Sequence, residues 1–146
     1  MKEILLISKC LLGEPCRYDG KSKPLPADLL EKLKNKYDIV AVCPEMAGGL
    51  PAPRVPAERC GDRVVRADGE DVTENYRRGA SEALALVRKY HITKALLKER
   101  SPSCGAGLIY DGAFTGTLTK GNGITADLLI KEEIAVFGES EIDELI

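Results

Sequence analysis

Apolar residues follow two rhythms along this chain, and the switching between them predicts its elements. Short apolar runs at Ile4–Ile7, Asp38–Val42, Ile92–Leu97 and Ile134–Phe137 predict strands. The run at Asp38–Val42 has no polar alternation, which is the pattern of a strand covered on both faces. Between the runs the spacing turns helical. Leu29, Leu30 and Leu33 predict a helix over Asp28–Lys36, and Tyr76, Ala80, Ala83, Leu84 and Val87 predict a longer one over Thr73–Tyr90 with Thr73 as its cap. A further helix is expected over Gly123–Lys131. The prolines of Pro51–Pro56 exclude helix and central strand, and Arg59–Arg66, turning at Cys60-Gly61-Asp62, predicts a hairpin.

Strands that alternate with helices imply an α/β fold. The expected architecture is an open, mostly parallel, Rossmann-like sheet with helices on both faces and a small β-hairpin insertion. Three connections are longer than such units need: Lys9–Pro26, the loop opening at Cys43, and the loop carrying Ser101–Gly107. Each contains a cysteine, and their Gly, Pro and Ser content fixes backbone around a site better than it serves a plain connector.

Composition narrows the function. A chain of 146 residues, 44% apolar and 30% charged, suits one folded domain over residues 1–146 that buries a core without disulfide staples. The net charge of −2 gives no broad attraction to polyanions, so bulk nucleic-acid binding is not expected. No apolar stretch approaches the roughly 20 residues needed to cross a bilayer, and Met1–Leu12 lacks a secretory pattern. The expectation is a cytoplasmic protein without a membrane partner.

The chain has five cysteines, an odd number, which in a reducing compartment favours metal ligands, reactive thiols or buried packing over disulfides. Cys10, Cys43 and Cys104 each stand where a strand run gives way to a loop. In a parallel sheet those ends converge on the ligand crevice. Three thiolates there suggest a metal site with one open position, and soft sulfur donors select zinc, copper(I) or iron–sulfur clusters. The only histidine, His91, falls at the expected end of the long helix and suits a surface position. Cys16 lies inside its loop, as a reserve ligand, a protective thiol or a packed residue, and Cys60 in the hairpin is read as structural. Arg17, Asp19 and Arg54 are read as recognising a base edge or phosphate, or as plain surface. Gly121–Gly123 ahead of Ile124-Thr125 offers backbone N–H groups to an anion.

The motifs CLLGEPCRYDG from Cys10, CPEMAGGLPAPRVPAE from Cys43, KERSPSCG from Lys98 and GNGITADLL from Gly121 resemble the DUF523 family, whose characterised members are thiouracil desulfidases. The resemblance runs from Ile4 to Phe137. It implies a 4Fe-4S cluster held by Cys10, Cys43 and Cys104, and a non-redox hydrolysis. In that reaction the iron without a protein ligand takes the sulfur of a thiolated pyrimidine, water attacks the carbon, and hydrosulfide leaves. The implied substrate is a small molecule: base, nucleoside or nucleotide. Lys9, where the family often has a small residue, and Ala52, where threonine is frequent, are departures outside the ligand and catalytic positions.

Carbon–sulfur hydrolysis needs a group that activates water, and Glu45 lies two residues after a ligand position. A desolvated carboxylate beside a negatively charged centre holds its proton more tightly, which suits proton transfer. The plain alternative is a solvated loop acid. Ser101 is the second catalytic candidate, orienting water or substrate, with turn capping as the ordinary alternative. Two other readings compete with the enzyme. One is a zinc-stabilised binding module closed by Cys10, Cys16, Cys43 and Cys104; the other is a cysteine-dependent redox or transfer protein using a Cys104 of depressed pKa.

Overall fold

The computed structural model describes residues 2–146. In chain order the elements are β1 (Glu3–Ser8), α1 (Ala27–Lys36), β2 (Tyr37–Val42), α2 (Pro44–Ala47), β3 (Ala57–Cys60), β4 (Arg63–Arg66), α3 (Thr73–Tyr90), β5 (Lys94–Leu97), β6 (Leu108–Tyr110), β7 (Leu118–Lys120), α4 (Ile124–Lys131) and β8 (Ala135–Gly138). Short 3-10 segments follow β1 at Lys9–Leu12 and β8 at Glu139–Glu144.

The sheet has the order β2-β1-β5-β8, and every pair in it is parallel. Side chains alternate across it, as the pleat requires. Leu5 and Ile7 of β1 and Leu96 of β5 pack with Leu33 of α1, Tyr37, Ile142 and Leu145. Leu6 of β1 with Ala95 and Leu97 of β5 packs against Ala83, Leu84 and Val87 of α3 and Leu129 of α4. Each fully buried leucine contributes about 1.5–3 kcal/mol, so the two layers carry much of the stability. Helices on both faces and a parallel sheet are as the apolar rhythm predicts.

The chain leaves β1 for β2 on one side and then passes back to β5 on the other. Strand order reverses between β1 and β5, and their carboxyl ends therefore flank the crevice where open α/β sheets bind ligands. Among the described residues no helix is long and apolar enough to cross a membrane.

Two local expectations need correction. Thr73 does not cap α3: Val72 is the N-cap residue, and the Thr73 hydroxyl takes the Val64 N–H of β4 at 2.9 Å instead. The capping contact comes from Asp71, which accepts the Thr73 N–H at 2.9 Å. The Thr73 contacts, with Arg63 adding to them, hold the Asp71 carboxyl down to about 2. A second hairpin, β6–β7, stands where only loop was expected, because strands this short carry too little periodicity to be read.

Candidate active site

The three long connections meet at the switch point around a cavity of about 520 Å³. Cys10 sits in the 3-10 turn directly after β1, and Cys43 directly follows β2, where Pro44 starts α2. Cys104 closes the turn after β5. All three thiols line the cavity, together with Cys16, Glu45, Arg54, Tyr76 and Ser101. The strand-end cysteines are therefore brought to one place, and so are both catalytic candidates.

Cys104 is pinned from two directions. Ser8, at the end of β1, donates its hydroxyl to the Cys104 sulfur at 3.4 Å and accepts the Lys98 N–H at 3.0 Å, which links the ends of β1 and β5. Burial pushes the Cys104 thiol up to about 12. A thiol nucleophile needs the opposite shift, so the depressed pKa expected of a Cys104-dependent transfer protein is not formed. The Cys16 thiol is pushed up to about 11 by the neighbouring Cys10 first, with Cys43 pulling the other way and burial adding to the rise. Cys43 is raised too, by Cys16 first and burial second. The geometric contact among these residues runs from the Cys43 thiol, which donates to the Cys16 carbonyl at 3.7 Å.

The donor set is soft. His91 is exposed at the end of α3, in the left-handed conformation of a C-cap, and supplies no ligand. Among the described residues no group of three Cys, His, Asp or Glu side chains is close enough to hold one metal ion. That spacing does not suit the tetrahedral zinc of a closed four-cysteine module. The thiols line one cavity without converging on a single ion, and a polynuclear iron–sulfur centre, whose thiolates bind separate irons, takes a donor set of that chemistry.

Beside the thiols lies an acid–hydroxyl pair. Glu45, in the first turn of α2, uses one oxygen for structure: its Oε2 accepts from Arg54 Nε at 3.0 Å, from Arg54 Nη2 at 3.0 Å and from the Tyr76 hydroxyl at 2.7 Å. Its Oε1 faces the Ser101 hydroxyl at 3.5 Å. The Ser101 oxygen accepts the N–H groups of Ser103 and Cys104, each at 3.0 Å, which leaves its proton to point toward Glu45. The ordinary reading of Ser101 holds, since it caps the turn that presents Cys104, and its hydroxyl also faces the Glu45 carboxylate.

Burial works against the Arg54 charge, yet Glu45 and then Cys43 hold its pKa above the ordinary value. Arg54 also donates to the carbonyls of Cys16 and Pro51, each at 2.9 Å. It is a clamp between the site loops, and its shielded side chain excludes the plain surface role. Arg17 lines the cavity and pairs only loosely with Asp19, at 3.8 Å. Sequence reasoning missed Tyr76, assigned to the apolar stripe of α3. Its raised pKa, from burial first and Glu45 second, keeps it a neutral donor. The available signal was a phenol at a core position, since a buried tyrosine hydroxyl needs a partner.

Gly121–Gly123 is no anion site. The N–H groups of Gly121, Gly123, Ile124 and Thr125 are spent on the carbonyls of Gly107, Gly105, Pro102 and Ser103. The start of α4 instead clasps the Ser101–Cys104 turn, aided by the buried contact of Ser103 Oγ with Thr125 Oγ1 at 2.8 Å. Gly123 is required there, because a Cβ would lie 2.4 Å from the Ser103 carbonyl oxygen.

A parallel sheet that opens its switch point onto soft sulfur donors beside an acid–hydroxyl pair defines a class: α/β proteins equipped to hold a soft metal group next to a site of proton transfer. The family follows from comparison. Residues 5–141 match the model of the 2-thiouracil desulfurases, and the chain belongs to that family. It is 39% identical over 153 residues to the uncharacterized protein YbbK of Bacillus subtilis (strain 168), an alignment covering 98% of this chain and 100% of YbbK. Its structure is similar to that of the 4Fe-4S-dependent thiouracil desulfidase TudS, with a TM-score of 0.95 and 50% identity over 99% of this chain and 95% of that one.

Proposed function

We propose that this protein is a 4Fe-4S-dependent desulfidase that removes sulfur from a thiolated pyrimidine of the thiouracil type by non-redox hydrolysis. The observation that carries the reading is the meeting of Cys10, Cys43 and Cys104 in one cavity with Glu45 and Ser101. Cys10, Cys43 and Cys104 would hold the cluster. When bound, a cluster with one iron free of protein ligands supplies a Lewis acid for the thiocarbonyl sulfur.

The remaining steps belong to side chains. Glu45 takes the proton of the attacking water at Oε1, since Oε2 is committed to Arg54 and Tyr76. Ser101 orients that water, its own lone pairs being spent on Ser103 and Cys104. Arg54 and Tyr76 position Glu45 and keep it from turning away. Buried carboxylates that act as general base contribute about 100-fold to 10,000-fold. The products are the oxygen analogue of the substrate and hydrosulfide, which balances the addition of water with no electron transferred. One domain over residues 1–146 would carry the reaction, in the cytoplasm. Five unpaired thiols support such a reducing setting.

The substrate is a base, nucleoside or nucleotide. The test is anaerobic reconstitution with iron and sulfide, followed by assays of uracil and sulfide from 2-thiouracil, its nucleoside and its nucleotide. Stoichiometric release of both products supports the proposal. A loaded, iron-replete protein that turns over none of them refutes it.

A further inference from the structure

The loop between β6 and β7 holds an aromatic ring over the cavity in a way that needs explanation. Phe114 lines the cavity, stays 40% exposed, and has a backbone φ of +58°. A bulky side chain rarely adopts that left-handed region, and residues kept there are held by their surroundings. Here the holding group is Glu58 of β3, whose Oε1 accepts the N–H groups of Gly112 at 3.0 Å and Phe114 at 3.2 Å. Asp111 closes the loop from within, accepting the Ala113 N–H at 2.9 Å and donating its own N–H to the Thr117 carbonyl at 3.0 Å.

An isolated exposed phenylalanine is ordinary in a folded protein. One locked in a strained backbone by a carboxylate from a different hairpin, at the rim of the reaction cavity, is a built feature. The two hairpins, otherwise remote from the sheet, thereby gain a common purpose. A planar pyrimidine offers two π-faces, and stacking on an aromatic side chain recognises the face whatever hangs from the ring.

We infer that Phe114 is the stacking platform for the pyrimidine ring and that Glu58 is its positioning residue. The inference rests on the proposed desulfidase reading and adds to it a specificity determinant outside the thiol and proton-transfer groups. Phe114 recognises the ring, while sulfur removal is left to the residues around the thiols.

The test uses the cluster-loaded protein and its variants Phe114→Leu, Phe114→Tyr, Phe114→Gly, Glu58→Ala and Glu58→Gln. Steady-state kinetics with 2-thiouracil are combined with calorimetric Kd values for 2-thiouracil and uracil, and with Tm. Phe114→Leu keeps apolar bulk and loses the π-face, so KM and both Kd values are expected to rise about 10-fold to 100-fold with kcat changed far less. Phe114→Tyr keeps the ring and is expected to bind as the natural protein does. Phe114→Gly is expected to bind weakly while its Tm holds or rises, because glycine accepts the positive φ without strain. Glu58→Ala is expected to follow Phe114→Leu, and Glu58→Gln, which still offers an oxygen to both N–H groups, to recover most of the loss. Unchanged Kd values in Phe114→Leu and Phe114→Gly overturn the inference. Absence of turnover in the natural protein overturns the functional reading instead, and the Kd comparison still decides for or against Phe114.

Discussion

At the residue scale the site is organised by giving each polar atom one task. Glu45 Oε2 is saturated by Arg54 and Tyr76, and Oε1 is the oxygen left to face Ser101. Ser101 has the complementary arrangement, with its lone pairs occupied and its proton directed at Glu45. The ion pair of Arg54 with Glu45 is well shielded, with side-chain exposures of 7% and 15%, so removing either partner would strand a charge in low dielectric. Tyr76 is the gentler probe. Replacing it with phenylalanine removes one donor and leaves Arg54 in place. We expect Tyr76→Phe to lower kcat about tenfold, the worth of one hydrogen bond to a charged group, with KM little changed. Glu45→Gln is expected to lose about 100-fold or more. Steady-state kinetics of the two variants in parallel separate the roles, since equal losses would make Tyr76 itself a proton donor and not a support for Glu45.

At the element scale what matters is how closely α2 approaches α3, because α2 carries Glu45 and α3 carries Tyr76. A Cβ on Gly79 would stand 1.9 Å from the Pro44 carbonyl oxygen, and one on Gly48 would stand 1.9 Å from the Asn75 carbonyl oxygen. Both obstacles are backbone, so no rotamer change relieves them. Gly79→Ala is therefore expected to cost at least about 1–3 kcal/mol, read as a lowered Tm, and to move Glu45 off the Tyr76 hydroxyl with a loss of kcat. An unchanged Tm would show that the helices separate freely. The long apolar stripe of α3 made that helix legible in the sequence, and the apolar runs likewise gave all strands of the parallel sheet. Convergence of Cys10, Cys43 and Cys104 was legible too, because strand polarity alone dictates where strand ends go. The partners of Arg54 and Tyr76 were not, since a guanidinium and a phenol read the same in a sequence whether they meet solvent or a buried carboxylate. The use of the α4 N-terminus to clasp the Cys104 turn was equally hidden, because free and spent N–H groups look identical until the loop's carbonyls are placed.

At the scale of the whole molecule, the thiols stand after elements that lie far apart along the chain. Cys10 follows β1, Cys43 follows β2 and Cys104 follows β5, whereas Cys16 lies within the loop that ends at α1. A group bonded to the first three would tie three neighbouring strand ends together, and binding free energy of that kind is also folding free energy. The fourth thiol has a different place: it is buried inside its loop, and the carbonyl of the same residue anchors both Arg54 and the Cys43 thiol. Removing its sulfur should leave the three strand-end ligands intact. We therefore expect Cys16→Ser to retain about four irons per chain after anaerobic reconstitution, while Cys104→Ser falls well below that and loses its visible absorption. Chelation of iron from the natural protein and from Cys16→Ser is expected to lower Tm in both, and to leave Cys104→Ser unmoved because it has no intact centre to lose. Iron analysis and thermal melts before and after chelation measure this together. If Cys16→Ser loses iron as fully as Cys104→Ser, the centre draws on four protein ligands, no iron remains free for a thiocarbonyl sulfur, and the proposed hydrolysis fails with it.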